Sequence, residues 1–397
     1  MALFGKPKDR RNPVGWIDQH GLAGRQSVKV SHLVFWFAFA AALISATLPP
    51  FRYFYLVTPF LVVLALLADG RGAFPEEVRA YALFIFGGLL FAPLGNKEGM
   101  RDLFLTFSGI SVGFLASVPR ISLQRIVTLT FLSTLAFFAM FGRIKDIVKF
   151  NFIGSESALE SSSAFYMGAF AVFAIYRRRW WLYLFCLLAT VLFLKRIALL
   201  AALAAGAVYL LGERRTRWLL NPITMIVVNL AIVMLTMAYA LGYFDYFLLH
   251  YTNQSANALG QGRQTFLRPP SVVIEDEWWR FLFLGKGAGS VYTVMHRTTL
   301  LSGVGKVNLH SDLMKIVYEY GFLWYMLIIG VMYSVRGFRA KMLAVFINVL
   351  FITDNSLIYY LLIFYIVMCC RVDPDIPESA EHSPALRPAP RGGAPVG

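Results

Sequence analysis

Apolar runs of membrane-crossing length, separated by short polar breaks, set the rhythm of this chain. A helix rising 1.5 Å per residue needs about 20 mostly apolar residues to cross a hydrocarbon core, fewer where spans are tightly bundled. Twelve such spans are predicted, near 32–48, 51–68, 79–92, 103–118, 123–141, 161–176, 180–194, 197–211, 222–244, 312–334, 341–353 and 355–370. The expected organisation is a cytoplasmic tail over 1–31, nine spans over 32–244, an external loop over 245–311, three spans over 312–370 and a disordered cytoplasmic tail over 371–397. The first tail is basic and polar, unlike a cleavable signal peptide, so the first span is expected to act as an uncleaved anchor. No internal repeat is visible.

Composition strengthens this picture. Hydrophobic residues make up 58% of the 397 and charged ones only 15%, against about 25% charged in ordinary globular proteins. Mean hydropathy is +0.62. The chain reads as an all-α polytopic membrane protein. Its net charge of +15 would suggest nucleic acid in a soluble protein. Here it fits cation-rich inner loops, anionic membrane lipid and an anionic substrate, and no nucleic-acid partner is expected.

Lysine and arginine counts in the loops set the orientation. With the N-terminus inside, the inner side receives Arg71 and Arg79, Arg120 and Arg125, and the triplet Arg177-Arg178-Arg179. It also takes Arg214, Arg215 and Arg217, then Arg336, Arg339 and Lys341, and finally Arg371. Outer loops carry fewer cations, and the segment 245–311 falls outside. That segment is long for a structureless loop, and its aromatic content, with Trp278-Trp279, argues for order in the form of short helices. The three cysteines, Cys186, Cys369 and Cys370, lie in apolar runs with no metal-ligand spacing and read as small buried hydrophobes. No cofactor and no metal are expected.

Four places carry candidate chemistry. Lys195 and Arg196 sit at a hairpin turn on the outer side, the disfavoured side for cations. Such charges either snorkel to headgroups or line a polar site. In GQGRQTF, residues 260–266, glycines precede Arg263, whose guanidinium can fork onto phosphate oxygens. LGKGAGS, residues 284–290, lacks the spacing of a nucleotide loop and reads as a tight glycine turn beside the membrane. In NLHSDLMKIVYEYGFLW, His310 stands at the mouth of span ten, with Asp312 as a helix cap or imidazole partner. Lys315 and Glu319 are most simply a pair on one helix face.

The order of these motifs resembles the O-antigen ligase and polymerase superfamily: an arginine at an outer hairpin, then G-x-G-R, a glycine turn, and a histidine heading a span with E-x-G after it. That superfamily comprises lipopolysaccharide O-antigen ligases, flippase-dependent polysaccharide polymerases and protein O-oligosaccharyltransferases. The resemblance covers residues 190–325 within a chain of twelve expected spans. It implies a GT-C-type helical fold in the bacterial inner membrane, with a periplasmic loop and both termini cytoplasmic. It also implies an undecaprenyl-diphosphate-linked glycan donor, a glycan or lipid-linked acceptor, and a chain-length regulator as a further partner. Matched by position, Arg196 is the hairpin arginine, Arg263 the loop arginine and His310 the histidine, with Asp312 and Glu319 in support. Two departures stand out: Ser311 follows the histidine where many members have Asn, and Lys195 precedes Arg196 where ligases often have Ser. The second, with TDNSLIYYLLIFY at 353–365, leans toward the polymerase branch.

The expected activity is inverting, metal-independent glycosyl transfer, with Arg196, Arg263 and Lys195 holding the diphosphate and His310 meeting the acceptor hydroxyl. The alternatives are O-antigen ligation onto lipid A-core, a lipid-glycan flippase or transporter, and a structural subunit. A transporter would call for mid-membrane ionisable groups and repeat symmetry. The sequence displays neither.

Overall fold

The computed structural model describes residues 29–48, 53–54, 56–72, 74–141, 161–260, 262–302 and 309–372. Most of both expected tails lies outside these residues. The described residues form eighteen α-helices and no strand, apart from one isolated bridge between Arg71 and Leu115. In chain order they are α1 Val30–Thr47, α2 Thr58–Asp69, α3 Arg79–Leu90, α4 Lys97–Ser111, α5 Leu123–Met140 and α6 Ser163–Tyr176. Then come α7 Trp180–Leu192, α8 Arg196–Thr216, α9 Pro222–Leu241, α10 Asp245–Thr252, α11 Ala256–Leu259 and α12 Arg263–Asp276. The last are α13 Trp278–Phe283, α14 Ser290–Ser302, α15 Asp312–Tyr320, α16 Phe322–Tyr333, α17 Phe338–Thr353 and α18 Tyr360–Val372.

Three helices, α5, α8 and α9, are long and apolar enough to cross a membrane, and six others are apolar but shorter. One expected span is divided. The run 312–334 breaks at Gly321, whose φ of 88° suits glycine. A Cβ there would lie 2.9 Å from the carbonyl oxygen of Phe281, so the loop backbone occupies the space a side chain would need. The segment 245–311, expected to carry short helices, holds α10 to α14.

Helix α8 keeps small residues inside and large apolar ones outside. In α8 the alanines at 198, 201, 202 and 205 are buried, while Leu200, Leu203, Leu210 and Leu211 face outward. Small residues let helices approach closely, and large apolar residues facing out suit lipid. At Gly168 of α6, an added Cβ would lie 3.2 Å from the Ala198 carbonyl oxygen, so the two backbones nearly touch. Residues 163–175 of α6 are all buried, which an all-round apolar helix requires. Long stretches of α15, α17 and α18 complete the interior.

Contacts between turns sort the bundle into two ends. At one end Arg371 donates to the Leu115 carbonyl, Arg339 pairs with Glu77 at 2.7 Å, and Glu76 accepts from the backbone N–H groups of Arg336 and Gly337. This is the arginine end. At the other, Asn96 binds the Gly289 carbonyl at 2.7 Å and Asp312 donates its N–H to the Asp354 carbonyl. This is the histidine end.

Candidate functional site at the histidine end

The hairpin between α7 and α8 reverses in three residues. Leu194 takes a left-handed conformation, φ 46°, an arrangement that a non-glycine residue adopts only under constraint. Lys195 is the N-cap of α8, half-buried, and Arg196, its first residue, is exposed. Arg263 likewise opens a helix. Gly262, at φ 80°, turns the chain into α12, and Gln264 anchors the turn by donating to the Tyr239 carbonyl at 3.0 Å and to Asp245 at 2.7 Å.

His310 lies just before α15 and is exposed. Its electrostatic neighbours come from three other parts of the chain. Surrounding protein, which strips hydration from the charged form, is the largest cause of a pKa below the ordinary 6.5; the Asp354 carboxylate opposes it, and the Arg263 and Lys195 cations reinforce it. The structure therefore brings Lys195, Arg263, His310 and Asp354 into one electrostatic neighbourhood. Of the two hairpin cations, Lys195 is the one whose charge bears on the imidazole. Arg196, expected from the sequence to hold the diphosphate, stands beside it at the start of α8.

Asp312 does neither job expected of it. Ser311 is the N-cap of α15, accepting from the Met314 N–H at 3.3 Å. The Asp312 carboxylate turns toward the segment after α17, accepting from Ser356 Oγ and the Leu357 N–H, each at 2.8 Å. It fastens the TDNS turn, which carries Asp354, onto the start of α15. The turn reinforces itself, since Asp354 accepts from the Asn355 N–H at 2.8 Å and from Tyr359 Oη at 3.4 Å.

The expected Lys315–Glu319 pair gains a third member, since the charges of the two still act on each other. Lys315 reaches across to Asp102 of α4, and Tyr292 Oη donates to the same Asp102 oxygen at 2.7 Å. Arg101 Nη2 approaches the other oxygen at 3.2 Å. Both Lys315 and Asp102 are almost fully buried. The Glu319 carboxylate is buried beside them, near the backbone of Gly289 and Val291.

The glycine turn at 284–290 is clamped between α15 and α4. The N–H groups of Lys286 and Gly287 donate to the carbonyls of Tyr318 and Glu319, each at 2.9 Å, and Asn96 N donates to Ala288 O at 2.9 Å. At Gly285 a Cβ would lie 2.2 Å from the Glu319 backbone, so the close approach needs glycine. A cavity of about 530 Å³ is walled by Tyr53, Arg101, Tyr166, Tyr359 and Tyr360 among others. Tyrosine rings offer apolar faces with polar tips.

The sequence reading missed Asp354, Asp102 and Tyr292 as site residues. A polar TDNS stretch closing an apolar run, and Asp102 in the polar KEGMRD stretch, were the available signals. Among the described residues no group of three or more His, Cys, Asp or Glu side chains could share a metal ion. No protein-family model, no curated protein and no solved structure matches this chain.

Proposed function

We propose that the chain is a membrane glycosyltransferase that moves a glycan from an undecaprenyl-diphosphate carrier to an acceptor hydroxyl at the histidine end. The observation that supports it is that the charges of Lys195, Arg263 and Asp354, from three separate parts of the chain, all act on His310. In the proposed step the acceptor oxygen bonds to the anomeric carbon as the bond from that carbon to the diphosphate oxygen breaks. The electron pair leaves with the diphosphate, and inversion follows from attack on the opposite face. Arg263 and Lys195, with Arg196 beside them, meet the charge that builds on the diphosphate. The acceptor proton passes to His310. A depressed pKa keeps that imidazole neutral and ready as a base near neutrality. Asp354 then steadies the imidazolium, as a carboxylate behind a histidine does elsewhere.

This reading carries with it twelve crossings of GT-C type, both termini in the cytoplasm and the site in the periplasm of a bacterial inner membrane. The product is a longer lipid-linked polysaccharide, made by joining repeat units. The test is transfer by the purified protein in detergent, with lipid-diphosphate-linked repeat units as both donor and acceptor and a chelator present. Lengthened lipid-linked glycan is the expected result. Glycan moved onto lipid A-core instead would make the protein a ligase, and no transfer to either acceptor would remove the enzyme reading.

A further inference from the structure

The arginine end holds a second feature, distinct from the histidine end and independent of the transferase reading. A groove of about 940 Å³ opens there between the α8–α9 turn and the α16–α17 turn. Four cations line it, Arg214, Arg217, Arg336 and Lys341, against a single acid, Glu213. Among the described residues none of these four side chains has an ion-pair partner.

Both walls are built rather than loose. Gly212, at φ 78° and ψ 160°, kinks α8 and redirects the chain into its last helical turn, residues 213–216. Thr216 Oγ1 donates back to the Gly212 carbonyl at 2.9 Å, and the Trp218 carbonyl accepts from Asn221 Nδ2 at 2.6 Å and Thr224 Oγ1 at 3.1 Å. On the facing wall, Glu76 holds the backbone N–H groups of Arg336 and Gly337, at 3.3 and 3.0 Å. Glu76 thus fixes the backbone and leaves the Arg336 side chain exposed. The N-terminus of the twenty-residue α9 adds its positive dipole end through Asn221 and Pro222. Trp218, at the rim, is 69% exposed, the placement of an interfacial aromatic.

We propose that this groove binds the phosphate headgroup of an anionic lipid. Guanidinium groups match phosphate oxygens bidentately, and basic pockets between membrane helices on the cytoplasmic side are suited to such headgroups. The loop arginine counts place this end on the cytoplasmic side, where anionic lipid is found. A free phosphate or diphosphate presents the same chemistry to the groove. The lipid is favoured because Trp218 and the outward leucines 210 and 211 border the cations with an apolar surface.

The experiment is native mass spectrometry of the full chain in detergent, titrated separately with cardiolipin and with phosphatidylcholine. Cardiolipin should be retained at least about tenfold more tightly, since each cation near a phosphate surface adds measurably to the attraction. The pairs R214Q/R217Q and R336Q/K341Q should each lose most of that preference, while the exposed control R178Q/R179Q keeps it. All three remove surface charges, and a monodisperse elution profile verifies folding. Inorganic diphosphate at millimolar concentration is the competing probe. If it displaces cardiolipin only from chains carrying all four groove cations, the site is a phosphate site that soluble anions also reach. If it does not displace cardiolipin, the site is a lipid site proper. Equal retention of both lipids by the unaltered chain, or a preference unchanged in both groove pairs, would overturn the proposal.

Discussion

The site at the histidine end and the groove at the arginine end handle charge in opposite ways. At the histidine end, groups from distant stretches are interlocked, Lys315 with Asp102 and Asp312 with the 356–357 turn, and His310 feels the charges of Asp354, Arg263 and Lys195. At the groove of the arginine end, cations of one sign project from turns whose backbones are already satisfied. A network of mixed sign fixes geometry, and its members depend on one another. A one-sided array of exposed cations suits attraction of an anion or a headgroup, with little demand on exact placement. The first arrangement befits bond-making and the second befits anchoring and orientation.

The sharpest way to break this comparison is to ask whether the two ends face different compartments. A cysteine replacing exposed Arg268 on α12 should react with a membrane-impermeant thiol reagent in intact cells after opening only the outer membrane. One replacing exposed Arg215 should react only once the inner membrane is breached. The three native cysteines are buried, so the background is low. Labelling of both positions from one side would end the two-compartment picture.

Next comes catalysis. General-base assistance is worth about 10²–10⁴-fold, so His310→Ala should cut turnover by that factor while the protein stays folded. His310→Gln separates the roles, because an active Gln variant leaves His310 only as a positioning residue. Stability should respond at the interlocked centre. Removing one partner of a buried ion pair costs about 3–5 kcal/mol, so Lys315→Met should lower thermal stability in detergent markedly. The double variant with Asp102→Leu should recover part of the loss, since the Asp102 charge goes with its partner while the buried Glu319 carboxylate remains. A single variant as stable as the parent would show the pair to be dispensable.

Smaller effects sharpen the picture further. Gly212 occupies a backbone region nearly exclusive to glycine, where a side chain costs about 1–3 kcal/mol. Nothing lies within 4 Å of a Cβ built there, so any loss on Gly212→Ala comes from the backbone alone. Thermal unfolding of that variant measures it. Last is the pH profile. His310 has a depressed pKa, so the neutral base survives to lower pH and the acidic limb of the rate should lie below that of an ordinary histidine. Asp354 raises the pKa, so Asp354→Asn should move the limb to lower pH. Lys195 lowers it, so Lys195→Gln should move the limb to higher pH. Limbs that stay put in both variants would dissociate these charges from His310.

Much of the helical layout was legible because the helices coincide with apolar runs, and those runs stand in the sequence whatever the partners. Arg263 and His310 were legible because each sits at a break in that rhythm, beside glycine or at the head of a run. Asp354 and Asp102 were not, since a single carboxylate at the end of an apolar run looks the same whether it meets solvent or a histidine. Lys315 shows the limit of local reasoning. Spacing of four along a helix favours Glu319 as its partner, and that carboxylate does act on it, but the direct contact is made by Asp102, 213 residues away in sequence.

By itself, then, the sequence determined an all-helical chain of membrane-type composition, the cation-rich turns and the candidate motifs between 190 and 325. These follow from local cost: backbone polar groups must be satisfied within helices in an apolar medium, and charge is expensive there. Only the tertiary structure decided which motifs meet, that Gly321 divides one long run, that Ser311 rather than Asp312 caps α15, and that four scattered cations share one groove. Those outcomes depend on which helices pack side by side, and the closeness of that packing rests on small residues such as Gly168 and Ala198, whose role is visible only when their neighbours are in place.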